Sequence, residues 1–181
     1  MLKKTAIALM LFFIMISCSS AQTLSFPSDE PVISINFPRS WSVEIDQDEE
    51  AGVIALSSDE EIEIDFWMIN RRAMRRNSDL AIEKAMNQVE KIINDFVRNY
   101  EVTQEGEGEI NDIDYFFLEG KGVYKESRER IKVNIALLTP DREHLFVLLY
   151  WGTNEAESIH KRELDKIFES IQKVGYRARR R

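Results

Sequence analysis

Apolar residues recur at every second position through much of this 181-residue chain. The segments 33–37, 41–45, 62–66 and 131–137 alternate apolar with polar or smaller side chains, and the largely apolar segment 115–119 follows the tight turn at 111–112. Alternation with a period of two is typical of strands that bury one face. Because short turns join consecutive strands, the pattern predicts antiparallel pairing.

Two segments change to the spacing of a helix. Asn77, Ser78 and Asp79 are good N-cap residues, and the apolar positions that follow are three or four apart. This stripe comprises Ile82, Met86, Val89, Ile93, Phe96 and Tyr100. A second helix is predicted from Asn154, where Glu157 completes a capping-box pattern, and it ends at Gly175. Its predicted buried stripe is Ile159 or His160, then Leu164, Ile167, Phe168 and Ile171.

The order of elements is strands, helix, strands, helix, which predicts an α+β fold. We expect an antiparallel β-sheet of about six to eight strands with the long helices packed on it. The segment 145–151 is almost entirely apolar and predicts a central strand covered on both faces. The polar segment 102–110 contains two glycines and predicts an edge strand.

The first 17 residues resemble a signal peptide. Lys3 and Lys4 precede an uncharged apolar run that is shorter than the roughly 20 residues of a membrane span. Residues 15–18, Met-Ile-Ser-Cys, resemble the lipobox of bacterial lipoproteins, in which the cysteine carries the lipid. This resemblance implies a protein exported to the bacterial cell envelope, anchored through Cys18 and facing the periplasm. The alternative is a secreted or soluble periplasmic protein cleaved after Ala21.

The charge is distributed unevenly along the chain, whose net charge is −8. Residues 1–17 and 172–181 hold seven basic and no acidic residues, so the segment between them has 17 basic and 32 acidic residues, a net of −15. This excess argues against nucleic-acid binding and predicts that the domain stands off an anionic membrane surface. We predict a lipidated cysteine and tether over 18–31, one domain over 32–174, and a disordered basic tail over 175–181.

The segment 35–43 reads Ile-Asn-Phe-Pro-Arg-Ser-Trp-Ser-Val. It resembles the opening of PsbP-like domains, with an apolar strand, a proline turn and a tryptophan that starts the next strand. A long central helix, a hairpin with Asn111 and Asp112 at its turn, two long strands and a closing helix extend the resemblance over roughly 31–172. The same group includes Mog-type domains and DcrB-like envelope lipoproteins. The resemblance implies an α/β/α-like sandwich and a non-catalytic binding or accessory role.

Four arginines, Arg71, Arg72, Arg75 and Arg76, form the dense basic cluster of the acidic body. On a helix, the spacing of four would bring them together in pairs, suited to a phosphate, a lipid headgroup or an acidic protein partner. The alternative, which we favour, is a solvated loop that neutralises nearby acidic residues.

Trp67 and Phe116 are candidates for lining an apolar pocket, although packing in a covered core is the favoured interpretation. His144 and His160 match no catalytic motif and are predicted to be surface polar groups. No metal site or cofactor is predicted, because Ala51 and the residues after it break the spacing of a calcium loop.

Three functions remain compatible with these residues. The first is a non-catalytic envelope lipoprotein that binds a protein or a small ligand, with the membrane and an envelope protein as its partners. The second is a hydrolase, which would need carboxylates that converge with raised pKa values. The third is a carrier of a lipid or another apolar molecule, which would need a cavity of at least roughly 300 Å³.

Overall fold

A computed structural model describes residues 21–46, 52–69 and 77–175 of the chain. The predicted signal peptide, Cys18, the arginine cluster and the predicted tail beyond residue 175 lie outside the described residues. The helices are α1 (Ser78–Phe96) and α2 (Asn154–Glu169). The strands are β1 (Gln22–Phe26), β2 (Ile33–Phe37), β3 (Ser42–Asp46), β4 (Gly52–Leu56), β5 (Ile62–Ile69), β6 (Val97–Ile110), β7 (Ile113–Tyr124), β8 (Arg130–Thr139), β9 (Leu145–Thr153) and β10 (Gln172–Lys173).

Seven strands form one antiparallel sheet in the order β3-β4-β5-β9-β8-β7-β6. The predicted α+β fold and the predicted sheet size are therefore confirmed. The apolar strand β9 lies between β5 and β8, and the polar strand β6 forms one edge, both as expected. Asn111 and Asp112 make the β6–β7 turn with positive φ values of 48° and 63°, a backbone shape that asparagine and aspartate tolerate well.

Both faces of the large sheet are covered, which confirms the predicted sandwich. On one face, α1 packs its buried Ala81, Ala85, Val89 and Ile93 on the apolar residues of β8 and β9. On the other face, α2 and a three-stranded sheet of order β1-β2-β10 share a second cluster with β5. We call these the α1 face and the α2 face.

The tether predicted for residues 18–31 is wrong over Gln22–Phe26, because these residues form β1. Gln22 pairs with Phe37 and Phe26 pairs with Ile33 along β2. The Phe26 side chain is buried, and its ring lies 5.2 Å from that of Phe66. The domain therefore begins about ten residues earlier than the polar composition of this segment indicates.

The helix boundaries also differ from those predicted. Asn77 caps α1 as expected, accepting a hydrogen bond from the Leu80 amide at 3.1 Å. The helix ends at Phe96, because Val97 is extended and the predicted stripe residue Tyr100 lies in β6. For α2, the N-cap is Thr153, whose hydroxyl accepts from the Ala156 amide at 3.1 Å, and not Asn154.

Candidate functional site

A pocket of about 280 Å³ opens on the α2 face, between strands β7, β8 and β9 and the C-terminal end of α2. Its floor is apolar and is formed by Ala136, Leu138 and Leu148. Phe168 and Ile171, at the end of α2, form the opposite wall. The volume lies just below the range of roughly 300–1,000 Å³ for small-molecule sites, so the pocket suits a small ligand.

Two aromatic side chains of β7 form the wall next to the sheet edge. Tyr115 and Phe117 both line the pocket, with ring centroids 6.2 Å apart. They lie over glycines of β6: a Cβ on Gly106 would be 2.7 Å from the Phe117 ring, and one on Gly108 would be 2.5 Å from the Tyr115 hydroxyl. The two glycines therefore leave the space that the aromatic rings occupy.

Hydrogen bonds hold the end of α2 against the sheet. The side-chain Nδ2 of Asn111 donates to the Glu169 carbonyl at 2.9 Å and to the Ile171 carbonyl at 2.7 Å. The Ser170 hydroxyl accepts from the Asn36 amide at 2.8 Å. The two Asn111 bonds satisfy main-chain carbonyls at the end of α2 and just beyond it, and all three bonds fix the position of the pocket wall.

One end of the pocket is polar. Glu119, Asn134 and Tyr150 are direct cross-strand neighbours on β7, β8 and β9, and all three line the pocket. Asn134 is only 9% exposed, and its Nδ2 has no hydrogen-bond partner. The Tyr150 hydroxyl donates to Glu157 Oε1 at 3.3 Å, and burial raises the pKa of Tyr150, so this hydroxyl is neutral at physiological pH.

An acidic pair lies on the α1 face of β5, away from the pocket. Burial raises the pKa of Asp65 to about 7, and the neighbouring charge of Glu63 adds to this effect. Burial also raises the pKa of Glu63, while a hydrogen bond from its cross-strand neighbour Trp151 opposes the change. Asp65 Oδ1 is buried without a hydrogen-bond partner, and so is Trp67 Nε1.

His160 of α2 is at the centre of a charged cluster. Its Nε2 lies 2.8 Å from Asp59 Oδ2, and its Nδ1 lies 3.0 Å from Glu163 Oε2. The Ser57 hydroxyl donates to Asp59 at 2.6 Å, and Trp41 Nε1 donates to Glu163 at 2.9 Å. Burial acts against the charged imidazole, but the hydrogen bonds and charges of the two carboxylates outweigh it and raise the pKa of His160.

The prediction that both histidines are surface polar groups is wrong. His160 is 6% exposed and His144 is 4% exposed. Nδ1 of His144 lies 2.8 Å from Asp141 Oδ1, and this carboxylate also accepts from the His144 amide, which closes the β8–β9 turn. A histidine can be buried where a carboxylate of another segment meets it, and Asp59 is 101 residues from His160.

Trp67 and Phe116, the candidates for an apolar pocket, pack against the core cluster of the α1 face, which agrees with the favoured interpretation of core packing. The two neighbours of Phe116 in the chain, Tyr115 and Phe117, point to the α2 face, because successive side chains of a strand point to opposite faces of the sheet. The aromatic residues of β7 that line the pocket are therefore Tyr115 and Phe117, each one position from the candidate Phe116. Asn134 was missed, and the signal that identifies it is a polar residue at an inward position of a strand with buried neighbours.

The described residues contain no group of three or more histidine, cysteine or carboxylate side chains placed to hold a metal ion. In the same part of the chain, neither helix is long and apolar enough to span a membrane.

No protein-family model and no curated protein matches this sequence. Solved structures do resemble it. Cyanobacterial PsbP (CyanoP) from Synechocystis sp. PCC 6803 has a TM-score of 0.58 at 12% identity, over 88% of this chain and 96% of that one. LpqN, described as involved in cell envelope biogenesis of Mycobacterium tuberculosis, has a TM-score of 0.51 at 10% identity, over 86% and 92%. A protein from Bacteroides thetaiotaomicron has a TM-score of 0.51 at 10% identity, over 86% of this chain but 49% of its own.

These likenesses agree with the resemblance carried by residues 35–43. At identities of 10–12% they concern the fold, and the grouping with DcrB-like lipoproteins stays a prediction. The chain has a PsbP-like fold.

Proposed function

We propose that this chain is a lipid-anchored module of the bacterial cell envelope that binds a small, largely apolar ligand and performs no chemistry. The observation that carries the proposal is the pocket on the α2 face. Its floor is apolar, its wall is held by hydrogen bonds from Asn111, and an unpartnered amide of Asn134 lies at its polar end. A concave apolar site with a few convergent polar groups is typical of ligand binding.

The polar groups of the pocket favour binding over catalysis. The Tyr150 hydroxyl is neutral and donates a hydrogen bond to Glu157 Oε1, and Asn134 offers a side-chain amide. Glu119 is an exposed carboxylate. An activated nucleophile needs an adjacent base and a hydroxyl that ionises readily. Tyr150 has a carboxylate beside it, but burial and the charge of Glu157 raise the pKa of its hydroxyl, which opposes its activation.

The hydrolase alternative has one supporting observation, the raised pKa values of Glu63 and Asp65. Shifted carboxylates are common at catalytic sites. However, this pair faces the core cluster that α1 covers, with Trp67 and Trp151 beside it, whereas the pocket is on the opposite face of the sheet. We therefore assign the ligand to the pocket and treat the pair as a half-buried acidic group.

The envelope location is supported by the lipobox-like residues 15–18 and by the fold shared with LpqN, a protein of envelope biogenesis. A lipid on Cys18 would hold the domain at the membrane, and its net negative charge would keep its surface away from anionic headgroups. An envelope protein that delivers or receives the ligand would be the natural partner of such a module.

Lipidation of Cys18 can be tested by growing cells with an alkyne-tagged fatty acid. We expect the wild-type protein to carry the label and to sediment with membranes. The Cys18→Ser variant should lose both properties, because the thiol is the site of acylation. A Ser19→Ala variant is the matched control and should stay labelled. An unlabelled wild-type protein in the soluble fraction would instead support secretion with cleavage after Ala21.

Ligand binding can be tested with the uncharged fluorophore N-phenylnaphthylamine. We expect its emission to rise and shift to shorter wavelength on binding to the pocket. An Ala136→Phe substitution places a ring on the pocket floor and should weaken binding by about tenfold or more, since the ring occupies the volume of the ligand. The thermal midpoint should be measured in parallel, because overpacking costs about 1–3 kcal/mol.

The matched control is Val102→Phe, which adds the same ring at an exposed position of β6, outside the pocket. It should leave binding of the fluorophore unchanged. Equal binding by the wild type and by Ala136→Phe would place the fluorophore elsewhere and overturn the assignment of the pocket.

A further inference from the structure

The side chains at the polar end of the pocket favour one class of ligand head group over another. We propose that the ligand is an amphiphile with an uncharged hydroxyl or amide head, and that the pocket discriminates against anionic heads such as the carboxylate of a fatty acid. This inference rests on the proposed binding function. It follows from the hydrogen-bonding groups and charges around Asn134.

Asn134 Nδ2 requires an acceptor. The residue is 9% exposed, and leaving a buried donor unpaired carries the full cost of its desolvation. Asn134 lines the pocket, but Nδ2 itself is shielded from solvent, so a small rotation of the side chain would bring it to a carbonyl or hydroxyl oxygen of a ligand seated over Ala136 and Leu148. A purely apolar ligand would form no such bond, so an oxygen at this end of the ligand is favoured.

The groups on either side of Asn134 require a donor. The hydroxyl of Tyr150 gives its hydrogen to Glu157, so its remaining lone pair is an acceptor. The carboxylate of Glu119, on the opposite side in β7, is also an acceptor. A head group that both accepts from Asn134 and donates to Tyr150 or Glu119 satisfies all three, as a hydroxyl or a primary amide does.

The charges exclude an anion. Glu119 and Glu157 are both acidic. Of the nearby bases, Lys132, two residues from Asn134 on β8, pairs with Glu157, and Lys121, two residues from Glu119 on β7, pairs with Glu101 at 3.6 Å. Asp165, whose charge also acts on Tyr150, pairs with Lys161. The polar end therefore keeps an unbalanced negative charge at Glu119. A carboxylate head would meet this charge in a partly desolvated site, and it has no hydrogen to donate.

Octanamide and octanoate provide a test, because they have nearly the same shape and differ in charge and in the ability to donate. By isothermal titration calorimetry at pH 7.5, we expect octanamide to bind at least about tenfold more tightly than octanoate. Glu119→Gln removes the charge at an exposed position, so the fold should be kept. The Glu119→Gln variant should reduce the ratio of the octanoate and octanamide dissociation constants at least about threefold, because octanoate binds more tightly to it.

Asn134→Leu separates a binding role of the amide from a structural one. It should weaken the binding of octanamide about fivefold, the value of one hydrogen bond, and should raise the thermal midpoint because a buried unpaired donor is removed. A variant that loses stability and binding together would show that Asn134 is structural, which contradicts its role in recognition.

The outcomes also separate this inference from the proposed function. If octanamide and octanoate bind equally in all variants, the head-group preference is wrong while the pocket remains a binding site. If neither amphiphile nor N-phenylnaphthylamine binds, the proposed function falls as well.

Discussion

Replacing Asp65 with asparagine is expected to raise the free energy of unfolding by about 3 kcal/mol at pH 8 and to leave it nearly unchanged at pH 4. Burial and the charge of Glu63 raise the pKa of Asp65 from 3.8 to about 7. If the whole pKa shift of Asp65 acted on stability, the free energy of unfolding would change by about 4 kcal/mol. We expect a smaller change, because the carboxyl group is partly in contact with water. Urea unfolding of both proteins between pH 4 and pH 9 measures the difference.

The direction follows from proton binding in the two states. Between pH 4 and pH 7 the folded protein keeps the Asp65 proton that the unfolded chain releases, so wild-type stability falls as the pH rises through this window. Asparagine has no proton to lose, and the gain should grow over the same window and level off above pH 7. Asp114→Asn, at an exposed position of β7, is the matched control and should change stability by less than about 0.5 kcal/mol at every pH. A gain that does not depend on pH would contradict the buried-acid explanation.

The periodicity of the sequence was sufficient to predict both helices, the main strands of the large sheet and their layered arrangement, but not β1. The periodicity is informative because burial of one face gives apolar residues a period of two in a strand and of 3.6 in a helix, whatever the neighbouring segments are. It missed β1 because this short segment is largely polar, and it misplaced the end of α1 because both periods fit the same residues. Phe96 and Tyr100 continue the helical spacing of α1, yet Val97 and Tyr100 equally suit the strand that follows.

The site was harder to predict than the fold. Because both faces of the sheet are covered, aromatic residues occur on both, and alternation alone cannot tell which face has an incomplete cover. Phe116 is in the filled α1 face, whereas Tyr115 and Phe117 line the pocket. The pocket exists because α2 ends at Glu169, and the place where a helix ends over a sheet is a property of the tertiary fold.

The His160 cluster depends on tertiary contact in the same way, and its removal should have the second large effect. His160→Leu is expected to lower the free energy of unfolding by about 2 kcal/mol near pH 6. It leaves Asp59 and Glu163 without their shared partner, and breaking a buried ion pair costs about 3–5 kcal/mol. The value is reduced here because Asp59 is 41% exposed and Glu163 is 35% exposed.

The pH dependence of this loss identifies its cause. The raised pKa of His160 means that the contribution of its charge is complete below about pH 6.5 and is lost as the pH rises through the folded-state pKa. The lowered pKa values of Asp59 and Glu163 mean that their contributions are present above about pH 4.5 and are lost in stronger acid. The effect of His160→Leu should therefore be largest between about pH 4.5 and pH 6.5 and smaller at pH 9.

His160→Gln is the control that separates charge from hydrogen bonding. Its amide can still donate to one carboxylate but carries no charge, so it should recover part of the stability at pH 9 and little of it at pH 6. If both variants lose the same free energy across the whole range, the cluster stabilises the domain through packing against Trp41, whose ring lies 6.2 Å from the imidazole, and not through charge. Since the cluster joins α2 to the turns that precede β3 and β5, a charge-dependent loss would also mean that alkaline pH loosens the helix whose far end forms the pocket wall.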